Sequence, residues 1–279
     1  MRFEGNKAWQ DAIALVSANR DVLYPMAGVL FLIPTLAQAF FFANDQARIL
    51  ASLGDATKME AAMESGAGGF FAFGLLAGIV QLIGYLALLA LLTDRGRPTV
   101  GQALITGVRA LPTLIGAALL FLAAYVLAGV VIGGLVRTLT AATGSITIAA
   151  VLMAGVALGM VYVMVKLSLT LPVVIIERTM NPMTALLRSW RLTAGNSFRL
   201  AFFYLLLFVA YLVIAIVLSM VVMGALAVFG GQGDLAVIGG ALISGVTGAV
   251  ASVLFAGLLA AIHRQLAGRS PEADSAAFE

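Results

Sequence analysis

The chain has no cysteine, a single histidine, and charge on only 10% of its residues. Without cysteine there is no disulfide, no thiolate nucleophile and no Cys-ligated metal, although the absence does not fix a compartment. His263 alone cannot supply an H-E-x-x-H zinc site, and the chain has neither a G-x-S-x-G nucleophile elbow nor a P-loop. Basic residues number 16 and acidic ones 13, a net charge of +3. That small excess gives no case for nucleic-acid binding, although the pI is near 9.4. Charge this scarce, beside 62% hydrophobic residues, excludes an ordinary soluble domain.

What the chain has instead is apolar runs. Several exceed the roughly 20 residues that cross a bilayer. They predict an all-α, polytopic membrane protein of six transmembrane helices, at about 22–43, 68–93, 112–136, 146–171, 200–228 and 236–262. The fourth run has an apolar extension to Ile176. Residues 1–265 are read as one membrane domain and 266–279 as a polar tail that begins to leave the membrane at His263. Ala37-Gln38-Ala39 has the look of a cleavage site, but the run continues into Phe40, Phe41 and Phe42 and is read as a span that stays.

Short amphipathic helices are expected before spans 1, 3 and 5. The first covers residues 7–20, with Trp9, Ile13 and Val16 on one face. The second follows the charged Asp94–Pro98 turn, opens on a Thr99-x-x-Gln102 capping box and runs to Ala110. The third opens at Asn181-Pro182. Ala12-Ile13, Ala103-Leu104 and Ala185-Leu186 take similar places in the three, which suggests a weak threefold repeat of helix plus hairpin; any interfacial helix could also look alike. The loop at 44–67 is polar, with an amphipathic part, and 137–145 and 230–234 are short turns.

Arginine and lysine counts in the flanks give the orientation. One side holds Arg2, Lys7, Arg20, Arg95, Arg97, Arg109, Arg178, Arg188, Arg191, Arg199, Arg264 and Arg269; the other holds Arg48, Lys58 and Arg137. Both termini are therefore expected in the cytoplasm of a bacterial inner membrane. Gly74/Gly78, Gly129/Gly133 and Gly155/Gly159 have G-x-x-x-G spacing and are read as contacts inside the bundle, dimerisation being the weaker inference. The glycines of span 6 (Gly239, Gly240, Gly245, Gly248 and Gly257) point to a packed inner helix. Pro34 and Pro172 sit where they could kink spans.

Residues 166–199 concentrate the chemistry. Lys166 is the one charge inside a span, and an ionisable group there is a functional hypothesis by default. A straight helix to Ile176 would put it roughly 15 Å deep. If Pro172 ends the span, Lys166 sits near the interface and snorkels, which is the reading adopted; Tyr162 and Thr170 share its face. Glu177 and Arg178 mark the return to water. Asn181 is a favoured N-cap and Pro182 suits the first helical position. Met183, Leu186, Leu187 and Trp190 form an apolar stripe, with Arg188 and Arg191 off it and Gly195 as the stop. The helix is expected to lie in the membrane interface, arginines toward phosphates and Trp190 at headgroup depth.

The same stretch resembles the YciC-type bacterial inner-membrane proteins, a family related to the membrane domain attached to some glycerophosphodiester phosphodiesterases. The likeness rests on Lys166, Pro172, Glu177, Ala185, Leu186, Arg188, Ser189, Trp190, Arg191, Leu192, Thr193, Gly195 and Arg199. It implies a six-span membrane protein and no established activity. The related enzymes hydrolyse in a separate soluble domain, so no phosphodiesterase activity is carried over.

Arg188, Trp190, Arg191 and Arg199 are the candidate lipid or anion contacts, since a guanidinium matches phosphate with a planar fork of donors. Glu177 is read as an ion-pair partner for one of these arginines. No catalytic residue, cofactor or metal is expected. The expected partners are membrane lipids, anionic ones included, and another membrane protein or a second copy of the chain. The expected role is non-enzymatic, in envelope maintenance or assembly; the alternative is a carrier of a small amphiphile or lipid, with Lys166 facing a cavity.

Overall fold

The computed structural model describes residues 2–63, 68–93, 96, 98–228 and 234–268. It is 90% helical, without strands among the described residues. Eleven helices are described: α1 Gly5–Ala18, α2 Arg20–Ala27, α3 Ile33–Ser52, α4 Ala56–Ala62, α5 Gly68–Thr93, α6 Val100–Thr143, α7 Ile146–Leu167, α8 Thr170–Ile176, α9 Pro182–Leu192, α10 Ser197–Val228 and α11 Asp234–Ala267. Six stretches are long and apolar enough to cross a membrane: Arg20–Asp45, Gly68–Thr93, Val100–Thr143, Ala150–Ile176, Ser197–Val228 and Leu235–Ala267. The chain is a multi-pass membrane protein. Only helices satisfy their own backbone groups in hydrocarbon, so a chain of this composition has little other choice.

Two compact units divide it. One comprises Met1–Ala12, Val108–Leu206 and Leu258–Glu279; the other comprises Ile13–Gly107 and Leu207–Gly257.

The prolines explain where helices bend. A proline cannot donate to the carbonyl four residues back, and its ring crowds that carbonyl. Pro172 therefore ends α7 at Leu167 and restarts the chain as α8 at Thr170, around Ser168, the residue four before it. Its missing N–H falls in the first turn of α8, where no intrahelical bond is lost. Ahead of Pro34 the chain widens into a π-turn over Gly28–Leu32, with the Ile33 amide reaching the Gly28 carbonyl. A second irregularity follows at Phe42, at φ −128° and ψ 22°.

Pro112 behaves differently. The sequence predicts a short helix to Ala110, a span at 112–136 and a loop at 137–145; the structure has one helix through all of these to Thr143. The intact bonds on either side carry α6 past the single one that Pro112 removes. At 1.5 Å per residue α6 is about 66 Å long, twice the hydrocarbon thickness of about 30 Å. Arg109 and Arg137 are 28 positions apart on it. That is about 42 Å, the width of a bilayer with its headgroups. Three further boundaries move: α3 runs on to Ser52, Asp55 caps α4, and α11 keeps His263 inside a helix rather than in a tail. Asp94, Arg95 and Arg97 of the Asp94–Pro98 turn, the 230–234 turn up to its last residue and Arg269 lie outside the described residues.

The amphipathic helices dock by small residues, not by their large apolar ones. In α1, Ala8, Ala12 and Val16 are buried while Trp9 and Ile13 are exposed. Ala103 and Gly107 of α6, and Ala185 and Ser189 of α9, are buried at the same four-residue spacing. Each docks on an earlier or later span. Within one unit, α9 meets the end of α7, and α1 meets the end of α11 through Glu4 with Gln265 and Asp11 with Arg264. Within the other, Gly107 lies against the Ile83 backbone of α5. The capping box holds: Thr99 N donates to Gln102 Oε1 at 2.9 Å, and Gln102 N to Thr99 Oγ1 at 3.3 Å.

The G-x-x-x-G expectation is corrected. A methyl group at Gly78, Gly129, Gly133, Gly155 or Gly159 would meet nothing within 4 Å, and at Gly74 only the end of Gln38. Gly74 apart, these glycines face open space. In α11 the expectation of packing stands for Gly239 and Gly245, where a methyl would overlap Leu226 and Leu32.

A Cβ at position 107 would lie 2.8 Å from the Ile83 carbonyl oxygen, which belongs to a helix backbone and cannot swing aside. Gly107→Ala should therefore cost about 1–3 kcal/mol. Gly129→Ala should be neutral or slightly stabilising, because Ala is the better helix former. Thermal unfolding midpoints in one detergent check both; equal midpoints would contradict the docking.

Candidate functional site

The break between α7 and α8 leaves carbonyls without helical partners in the membrane-spanning part of the chain, where each unsatisfied group costs several kcal/mol. Three of these carbonyls have partners in the structure. Val165 O accepts from Ser168 N at 3.3 Å and Ser168 Oγ at 2.8 Å. Leu167 O accepts from Thr170 Oγ1 at 2.7 Å. Lys166 O accepts from Ser189 Oγ at 2.8 Å and Thr193 Oγ1 at 3.3 Å. Tyr204 of α10 adds a hydroxyl to Ser168 Oγ at 3.2 Å. Thus α9 is attached to the span by the very carbonyl that the break exposes.

The sequence places α9 as expected. Asn181 Oδ1 accepts from Met183 N at 3.0 Å and Thr184 N at 3.2 Å, with Pro182 next to the cap. Gly195 takes φ +76°, which a side chain would resist, and closes the helix. Thr113 of α6 donates to Met180 O at 2.9 Å and fixes the approach to the cap. The loop after α9 is held by Asn196, whose Oδ1 accepts from Phe3 N at 2.8 Å. Arg178 stands in the left-handed region at φ +52°, turning the chain from α8 toward α9 at a cost of order 1–2 kcal/mol.

Lys166 does not snorkel. It is 4% exposed, its Nζ 5.2 Å from the Trp190 ring centroid and 5.6 Å from that of Tyr162. The two rings meet edge to face at 6.1 Å. The helix break places Lys166 one residue before the end of α7, within the Ala150–Ile176 span, and Trp190 of α9 covers it. A ring face offers an ammonium group electrostatic attraction where water is excluded.

Of the other candidates, Glu177 and Arg188 come together: Arg188 Nε donates to both carboxylate oxygens, at 2.9 and 3.2 Å. His263 joins them, its Nε2 3.0 Å from Glu177 Oε1. An ionised carboxylate only accepts, so it fixes the ring proton on Nε2. Glu177, α9 and α11 are thereby linked. Sequence reasoning missed His263 by assigning it to the tail. It missed Ser189 and Thr193 because only the large apolar stripe of α9 was read; their signal was a polar pair four residues apart, in line with Ala185.

Arg191 and Arg199 are exposed, and neither has a carboxylate partner among the described residues. Met183, Leu187 and Trp190 are exposed beside them, between 40% and 51%. The described residues include no group of three or more His, Asp or Glu arranged to hold a metal. No family model, curated protein or solved structure matches the chain.

If Lys166 rests on the rings, Lys166→Met and Trp190→Leu should not be additive. A double-mutant cycle read from thermal unfolding should give a coupling of about 0.5–2 kcal/mol. Strictly additive losses would contradict the contact.

Proposed function

We propose that the chain is a non-enzymatic protein of a bacterial inner membrane, both termini cytoplasmic, which acts by holding anionic lipid against α9 and the start of α10. The membrane and orientation rest on the arginine distribution and on the likeness to YciC-type proteins. The supporting observation is the division among the arginines. Glu177 neutralises Arg188, whereas Arg191 and Arg199 have no carboxylate partner among the described residues and are open to an anion. Exposed Met183, Leu187 and Trp190 supply the apolar contact that a lipid surface offers beside its phosphates. That chemistry is compatible with a role in envelope maintenance or assembly, with lipids or a membrane protein as partner, which we include in the proposal.

Each arginine near an anionic surface contributes about 1 kcal/mol. Replacing Arg191 and Arg199 together with Gln should therefore weaken retention of phosphatidylglycerol roughly thirtyfold. Arg188→Gln should change it little, and Glu177→Gln should raise it by releasing Arg188. Native mass spectrometry with defined lipid mixtures reads all three. Unchanged retention in the Arg191/Arg199 variant would overturn the proposal.

A further inference from the structure

Within the unit formed by Ile13–Gly107 and Leu207–Gly257, a half-open groove of about 390 Å³ lies among α3, α10 and α11. Its lining contains four uncharged hydrogen-bonding side chains, Thr35, Gln38, Ser219 and Ser244. They come from three membrane-spanning helices that are predominantly apolar. Thr35 is satisfied by its own helix, donating to Phe31 O at 2.7 Å. Gln38, Ser219 and Ser244 have no hydrogen-bond partner among the described residues. Gln38, whose amide end lies near Gly74 of α5, and the two serines line one space in membrane-spanning helices with their polar groups unmet, which calls for a polar occupant.

The depth and the backbone narrow its identity. Gln38 is seven residues from Asp45, which pairs with Arg48 at 3.8 Å. With the kink at Phe42 between them that separation is at most about 10 Å, which puts Gln38 just beneath a headgroup layer some 5–8 Å thick. This is where the ester and hydroxyl groups of an acylglycerol lie. The segment carrying Thr35 and Gln38 is bounded by the π-turn at Gly28–Leu32 and the kink at Phe42. Such irregularities recur where helices form sites. The lining carries no charge, so nothing in it selects a phosphate. Met223, Val237 and Ile243 complete it with apolar surface for the first carbons of a chain. The volume is at the low end for small-molecule sites, enough for the glycerol region while the chains leave by the open side.

We propose that this groove binds the glycerol ester and hydroxyl groups of an acylglycerol, through Gln38, Ser219 and Ser244. The site is independent of Arg191 and Arg199. A diacylglycerol with a diazirine in one acyl chain, irradiated with the full-length protein in nanodiscs, should label peptides spanning 34–45, 219–224 or 236–244. Ser219→Ala/Ser244→Ala should lower that labelling at least fivefold, and so should Gln38→Leu. The serine variant loses two hydroxyl groups only and carries the test if Gln38→Leu does not fold. Arg191→Gln/Arg199→Gln should leave labelling unchanged. Competition by unlabelled dioleoylglycerol alone would identify a neutral glyceride; equal competition by phosphatidylcholine would assign the groove to the glycerol region of a phospholipid. Labelling spread evenly over all six spans, or unaltered in the serine variant, would overturn the site while leaving the arginine proposal standing.

Discussion

A carbonyl released from its helix inside hydrocarbon finds no water, so a broken span must be repaired by the protein itself. Pro172 creates that demand, and much of the surrounding structure answers it. Ser168 and Thr170 return their hydroxyls to the local carbonyls, and Ser189 and Thr193 come from α9 to the Lys166 carbonyl. Because the donors lie on a separate helix, the repair also sets where α9 lies. That placement brings Trp190 over the Lys166 ammonium and Arg188 to Glu177. One proline thus connects backbone satisfaction, helix docking and the charge arrangement.

The charges then fall into two groups. Lys166, Glu177, Arg188 and His263 are used within the chain, against rings or against one another. Arg191 and Arg199 are exposed and unmatched among the described residues. Buried and paired charges rigidify; unmatched ones on the surface attract. Within α9 itself the split separates Arg188, paired with Glu177, from Arg191, which has no carboxylate partner among the described residues.

The six spans were legible because hydrocarbon imposes length and composition directly. The caps were legible too: Asn181, the Thr99/Gln102 box and Gly195 act within four residues of themselves. Prolines were legible only in part. Pro34 and Pro172 disturb the helix just ahead of them while Pro112 does not, and nothing local to the three prolines separates them. Long-range pairings were hidden altogether. Nothing local to His263 marks Glu177 as its partner 86 residues away. The G-x-x-x-G spacings misled because close approach depends on the facing surface, which Gly107 has and Gly129 lacks. The recurring buried alanines, Ala12, Ala103 and Ala185, carried more structural meaning than the large apolar residues beside them.

The chain contains three lysines, Lys7, Lys58 and Lys166, which permits a direct test of the packing at the break. Opened membranes would be treated with an N-hydroxysuccinimide ester and the modified positions mapped by mass spectrometry over time. Lys7 and Lys58 are exposed and should react quickly, whereas Lys166, under Trp190 and Tyr162, should stay protected until Ser189→Ala/Thr193→Val loosens α9. Modification of Lys166 at the rate of Lys7 in the unaltered protein would show that its ammonium reaches water, and would contradict the docking of α9 on which the site depends.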